Sequence, residues 1–109
     1  MSTTPENHLV RRWLLQANDE LAFVPQDKDG ARTVSLVRFG EYSVRLVKSA
    51  PCAAGTPVMW IELYDHDLGC GIDSCGCYTI EEALVPASDL ILRAKKLHRK
   101  VAPGGSCEQ

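Results

Sequence analysis

The residues best equipped for chemistry fall in one short run, Asp65-His66-Asp67-Leu68-Gly69-Cys70-Gly71-Ile72-Asp73-Ser74-Cys75-Gly76-Cys77. His66, Cys70, Cys75 and Cys77 are donor types that suit zinc. Their spacing argues against it. On an extended strand Cys75 and Cys77 point the same way with Cα atoms roughly 6.5–7 Å apart. Tetrahedral Zn–S bonds of about 2.3 Å demand closer sulfurs, which a tight turn supplies. Asp65, Asp67 and Asp73 suggest a calcium loop, but Cys70 occupies the obligatory glycine of that pattern and Gly76 its bidentate glutamate, so the reading fails. A third chemistry is thiol catalysis. Cys77 lies two residues before Thr79, near a helix start whose dipole lowers a thiol pKa, and His66 or His98 would have to serve as base. The plainer reading takes the cysteines as small buried hydrophobes and the Asp and Gly residues as turn formers.

A second group is the basic run Arg93, Lys95, Lys96, His98, Arg99 and Lys100. Such a run contacts phosphates or an acidic partner, or it simply places cations in the last turns of a helix, where the dipole favours them. The latter is the expectation. No phosphate-binding glycine loop follows a strand, and neither a serine-nucleophile elbow nor a His-Glu metalloprotease motif is present. Glu81 and Glu82 are adjacent, so they point in different directions around a helix and form no catalytic carboxylate pair.

The elements that must position these residues are legible in outline. Thr4-Pro5-Glu6 reads as a helix start, and Leu9, Val10, Trp13, Leu14, Ala17 and Leu21 recur at helical spacing, which predicts a helix over 5–19. Leu21 to Val24 is a frayed last turn or a short edge strand. Asp27-Lys28-Asp29-Gly30 is a turn, and Thr33–Phe39 and Tyr42–Lys48 form a hairpin about Gly40-Glu41. Ser49–Pro57 reads as a loop, Val58–Tyr64 as a third strand and Cys70–Cys77 as a glycine-weakened fourth. Thr79 and Glu82 form a capping box. A long helix follows, with Ile80, Ala83, Leu84, Ala87, Leu90, Ile91, Ala94, Leu97 and Val101 on one face. Pro86 should kink or briefly break it. The fold class is therefore α+β: an N-terminal helix, a meander of three or four antiparallel strands, and a C-terminal helix packed on one sheet face. One domain spans residues 1–109, with an ordered core over about 5–101 and a flexible tail over 102–109.

Helix, three strands, helix is the order of double-stranded-RNA-binding domains. Their phosphate-binding lysines open the last helix, where this chain has Thr79-Ile80-Glu81-Glu82. Trp60-Ile61-Glu62 through Gly76-Cys77-Tyr78-Thr79-Ile80-Glu81-Glu82-Ala83 is similar to the strand–turn–strand–helix of plant ethylene-response-factor-type DNA-binding domains. That family reads DNA with an Arg- and Trp-rich sheet; the matching strands here carry Glu62, Asp65, Asp67 and Asp73. Both resemblances are of architecture.

Composition narrows the function classes. The 109 residues carry 12 Lys+Arg against 14 Asp+Glu, a formal charge of −2 that attracts neither nucleic acid nor anionic membranes in bulk. Met1–Arg12 holds no apolar run of signal-peptide length, so a cytoplasmic chain is expected, its five cysteines reduced thiols. With one sheet face covered by the second helix, the other is expected to carry Val37, Phe39, Val47, Trp60 and Tyr64, a broad apolar set that either the first helix or another subunit covers. The expected function is that of a non-enzymatic protein–protein interaction module that self-associates through this face as a homodimer, with no cofactor. The alternatives are a zinc- or thiol-dependent site in Asp65–Cys77 and nucleic-acid binding through the basic helix end.

Overall fold

The computed structural model describes residues 5–50 and 58–101, with side chains placed from His8 to Arg99 within them. Six elements follow one another: α1 (Pro5–Leu21), β1 (Arg32–Phe39), β2 (Tyr42–Lys48), β3 (Met59–Asp65), β4 (Cys70–Cys77) and α2 (Ile80–Val101). The four strands form one antiparallel sheet in the order β1-β2-β3-β4. The cap at Thr4, residues 51–57 of the expected loop and the expected tail lie outside the described residues.

Helix α1 runs two residues further than its periodicity suggested and closes in a turn. The Phe23 amide bonds to the Glu20 carbonyl and that of Val24 to Leu21, so Leu21–Val24 is helix end and turn rather than strand. The turn before β1 is organised by Asp27, whose carboxylate accepts from the amides of Asp29 and Ala31. At the start of α2, Thr79 Oγ1 accepts from the Glu82 amide at 3.1 Å. The Glu82 carboxylate reaches back to the Tyr78 amide at 2.9 Å, one residue earlier than a standard box. Pro86 sits inside α2 and the helix is not interrupted there; one lost amide is too little to divide a helix docked along its length.

Strict alternation in β2 and β3 sends Tyr42, Val44 and Leu46, then Met59, Ile61 and Leu63, to the same side of the sheet. Val10, Leu14, Ala17 and Leu21 of α1 join them there. So do Ala83, Ala87, Leu90, Ile91 and Ala94 of α2, in a single buried cluster. Both helices therefore lie on one face of the sheet. An exposed ion pair, Arg11 to Glu81 at 2.8 Å, links them and contributes little beside this burial.

Strand β1 departs from alternation. Its register against β2 shifts between Ser35 and Val37, so that Val37 faces Val44 and Phe39 faces Tyr42. The extra residue, Leu36, reverses the side on which the following side chains emerge. Val37 and Phe39 consequently pack against the core, and the Lys95 ammonium lies 5.9 Å from the centroid of the Phe39 ring. The expectation that these two residues share a face with Val47, Trp60 and Tyr64 is corrected by this bulge.

Gly40 turns the β1–β2 hairpin at φ 62°, and the space its Cβ would fill is taken by His98, whose Nδ1 would lie 2.7 Å away. Gly69, in the β3–β4 turn at φ 73°, has open space there. Alanine at either position meets the left-handed backbone penalty of about 1–2 kcal/mol. Gly40→Ala must also displace the His98 ring, so urea unfolding should show a larger loss for it than for Gly69→Ala.

Candidate functional site

No described element covers the face of the sheet opposite the helices. Its centre is built by the outward residues of β2 and β3, which stand directly opposite one another in three rows: Ser43 with Tyr64, Arg45 with Glu62, and Val47 with Trp60. All but one of the flanking positions are small; the exception is Arg38 of β1, which lies beside Ser43. Thr33 and Ser35 lie beside Val47 and Arg45 on β1, and Gly76, Ser74 and Gly71 lie beside Trp60, Glu62 and Tyr64 on β4. A raised lane of large side chains thus runs along the middle of the face.

The lane is held by specific contacts. Glu62 Oε1 accepts from Arg45 Nε at 3.0 Å and from Nη2 at 2.5 Å, with each side chain 24% exposed. The Arg45 guanidinium also lies 3.9 Å from the Tyr64 ring centroid, a cation–π contact. Tyr64 meets the His66 ring edge-on at 5.0 Å between centroids. His66 Nε2 and Ser43 Oγ share a hydrogen bond of 2.6 Å. Gly71 allows this arrangement, since a Cβ on it would lie 2.6 Å from Glu62 Oε2. The His66 backbone is fixed as well, its amide donating to the Glu41 carbonyl at 2.7 Å, which ties the β3–β4 turn to the β1–β2 hairpin.

Of the five residues expected on this surface, Val47, Trp60 and Tyr64 are here and half-buried, while Val37 and Phe39 are on the helix side. Ser43, Arg45 and Glu62, which sequence reasoning passed over as site residues, complete the face together with His66, which it had considered as a metal ligand or base. One signal was available: Arg45 and Glu62 each sit at the centre of the outward set of a strand, with opposite charges.

A serine bonded to a histidine has the geometry of a nucleophile and its base. Ser43, however, is only 2% exposed beneath the lane, out of reach of any substrate carbonyl. The pair acts as a clasp.

The expected metal ligands are spread along β4. Cys70 pairs with Asp65 at one end of the strand, Cys75 with Ile61, and Cys77 with Met59 at the other end, while His66 is engaged with Ser43. Among the described residues no group of three or more His, Cys, Asp or Glu converges as a metal site. Cys70 and Cys75 are exposed rather than buried hydrophobes; Cys77 alone of the three is buried. Burial, followed by the neighbouring Cys75, pushes the Cys77 thiol up to about 11, the reverse of a shift toward reactivity at the helix start.

The basic run is likewise divided. Arg93 bonds to Asp73 of β4 at 2.5 Å, and Lys95 lies over Phe39. The bond from Arg93, together with the Ser74 amide, holds the Asp73 carboxyl below the usual carboxylate range. Lys96 lines the groove between β4 and α2, Arg99 is exposed, and the Lys100 side chain lies outside the described set. Among the four described cations, Arg93 and Lys95 are thus engaged within the fold, and Lys96 and Arg99 are exposed. Among the described residues no helix is long and apolar enough to cross a membrane. Compared with protein-family models, curated proteins and solved structures, the chain has no match.

The state of Cys77 gives a direct check. Alkylation with iodoacetamide at about pH 8 should label Cys70 and Cys75 and leave Cys77 unmodified until urea is added, as read by peptide mass spectrometry. The same group links stability to alkaline pH. Between its ordinary 9.0 and about 11 the folded protein keeps a proton that the unfolded chain has released. Stability contributed by protonated Cys77 should therefore fall across that window, and Cys77→Ala should flatten the decline in urea midpoint.

Proposed function

We propose that this protein is a non-enzymatic protein–protein interaction module and that the uncovered sheet face is its contact surface. The observation that carries this reading is the placement of both helices on one side. That placement leaves an ordered lane of Trp60, Tyr64, Arg45 and Val47 open on the other. Tryptophan, tyrosine and arginine are the residue types that dominate binding energy at protein interfaces, and they do so from well-packed positions. Here they are packed before any partner arrives. Arg45 is fixed between Glu62 and the Tyr64 ring, so little side-chain entropy remains to be lost on contact. The lane has one cation and one anion at its centre, a balance suited to another protein surface rather than to a polyphosphate backbone.

A photoreactive benzoylphenylalanine at position 60, in cells that express the protein, tests the reading. It should give a discrete covalent adduct with a protein on irradiation, and the adduct should disappear when Val47→Asp is added. The same residue at position 23, where Phe23 is 89% exposed in the turn after α1, should give none. Equal labelling from positions 23 and 60 would remove the sheet face from consideration.

A further inference from the structure

We infer that the occupant of the open face is a second copy of this chain, related by a twofold axis that runs parallel to the strands between β2 and β3. This rests on the reading of the face as a contact surface and names its partner. The argument comes from the pairing of the three rows. A twofold axis in that position exchanges β2 for β3, so each outward residue of one copy meets the cross-strand partner of the same residue in the other. Arg45 lies over Glu62 of the second copy, and Glu62 over Arg45. Trp60 lies over Val47 and Val47 over Trp60, large against small. Tyr64 lies over the Ser43–His66 pair, and the pair over Tyr64.

Other symmetric arrangements lose this match. An axis across the strands through the middle row would set Arg45 over Arg45 and Glu62 over Glu62, two like-charge contacts at the centre of the interface. The strand-parallel axis turns the two ion pairs into a closed ring of four alternating charges. The sheets would then pack face to face at about 10 Å with their strands nearly aligned, which is the ordinary geometry of a sandwich. The flanking residues Thr33 and Ser35 on one side and Ser74 and Gly76 on the other are small, and the one large flanking side chain, Arg38 beside Ser43, falls over Gly71 of the second copy.

Charge exchange between two variants tests the arrangement. Arg45→Glu places two anions at the centre of the lane, and Glu62→Arg places two cations. Sedimentation equilibrium at about 100 µM should show the wild type as a dimer and each variant alone as a monomer, with association weakened at least about tenfold. An equimolar mixture of the two variants should recover a dimer, and native mass spectrometry should find it to be the heterodimer. Circular dichroism establishes that each variant is folded. Val47→Asp, which leaves Arg45 and Glu62 in place, gives a second route to the monomer should either charge variant fail to fold.

A monomeric wild type overturns the inference. So does a pair of folded variants that dimerise as well as the wild type, or whose mixture stays monomeric. The reading beneath it is separable: a monomer that still gives a discrete adduct of another mass from position 60 keeps the face as an interface and removes the second copy. A monomer with no adduct removes both.

Discussion

Everything distinctive in this molecule depends on the period-two alternation of β2 and β3. Because successive side chains leave a strand on opposite sides, the six residues Tyr42, Val44, Leu46, Met59, Ile61 and Leu63 all reach the helices. The intervening residues are thereby forced together on the other side, whatever their chemistry. Four of the six inward residues, Val44, Leu46, Ile61 and Leu63, are completely buried, and this density leaves no freedom to slide the strands. A one-residue slip would bring Arg45 and Glu62 into the core. Core packing thus fixes the register of the three outward rows, and the proposed contact surface inherits its order from a part of the protein that it never touches.

Much of this was legible in the sequence and some was not, for identifiable reasons. The apolar stripe of α2 and the alternation of β2 and β3 are periodic signals, and all three elements form where the periodicity places them, β3 one residue later than Val58–Tyr64. The bulge at Leu36 has no such signature. It is a property of the pairing between two strands, and Val34-Ser35-Leu36-Val37 read alone is compatible with either register. That one residue moved Val37 and Phe39 to the helix side. The stripe of α1 says that the helix is packed but not against which face. Its position beside α2 follows from their shared burial of Leu14, Ala17, Ala83 and Ala87. The candidate site was correspondingly half visible, with Val47, Trp60 and Tyr64 assigned by alternation. The Arg45–Glu62 pair becomes apparent only once the β2–β3 register is known.

The cysteines show how little residue type says without placement. A strand at the edge of the sheet, separated from α2 by a groove along its middle, leaves Cys70 and Cys75 in solvent and buries Cys77 at its helix-proximal end. The same side chain is thus an accessible thiol at two positions and an inert apolar plug at the third. The difference arises from whether a helix lies above it.

The edge strands also bear on how large an assembly of this chain can become. A free edge presents unpaired backbone groups to any passing strand, and unprotected edges allow sheets to grow without limit. Both edges here are irregular. β1 carries its bulge at Leu36, and β4 shifts register between the residues opposite Leu63 and Tyr64 while turning the charged Asp73 toward Arg93. A strand that arrived on β4 would have to follow a distorted ladder and lie beside a carboxylate already bound on the helix side. The sheet is terminated at both margins, so growth by strand addition is opposed, and the proposed pair of chains closed on each other's faces would be a finite object, protected from fibre formation by the irregularities of its rim.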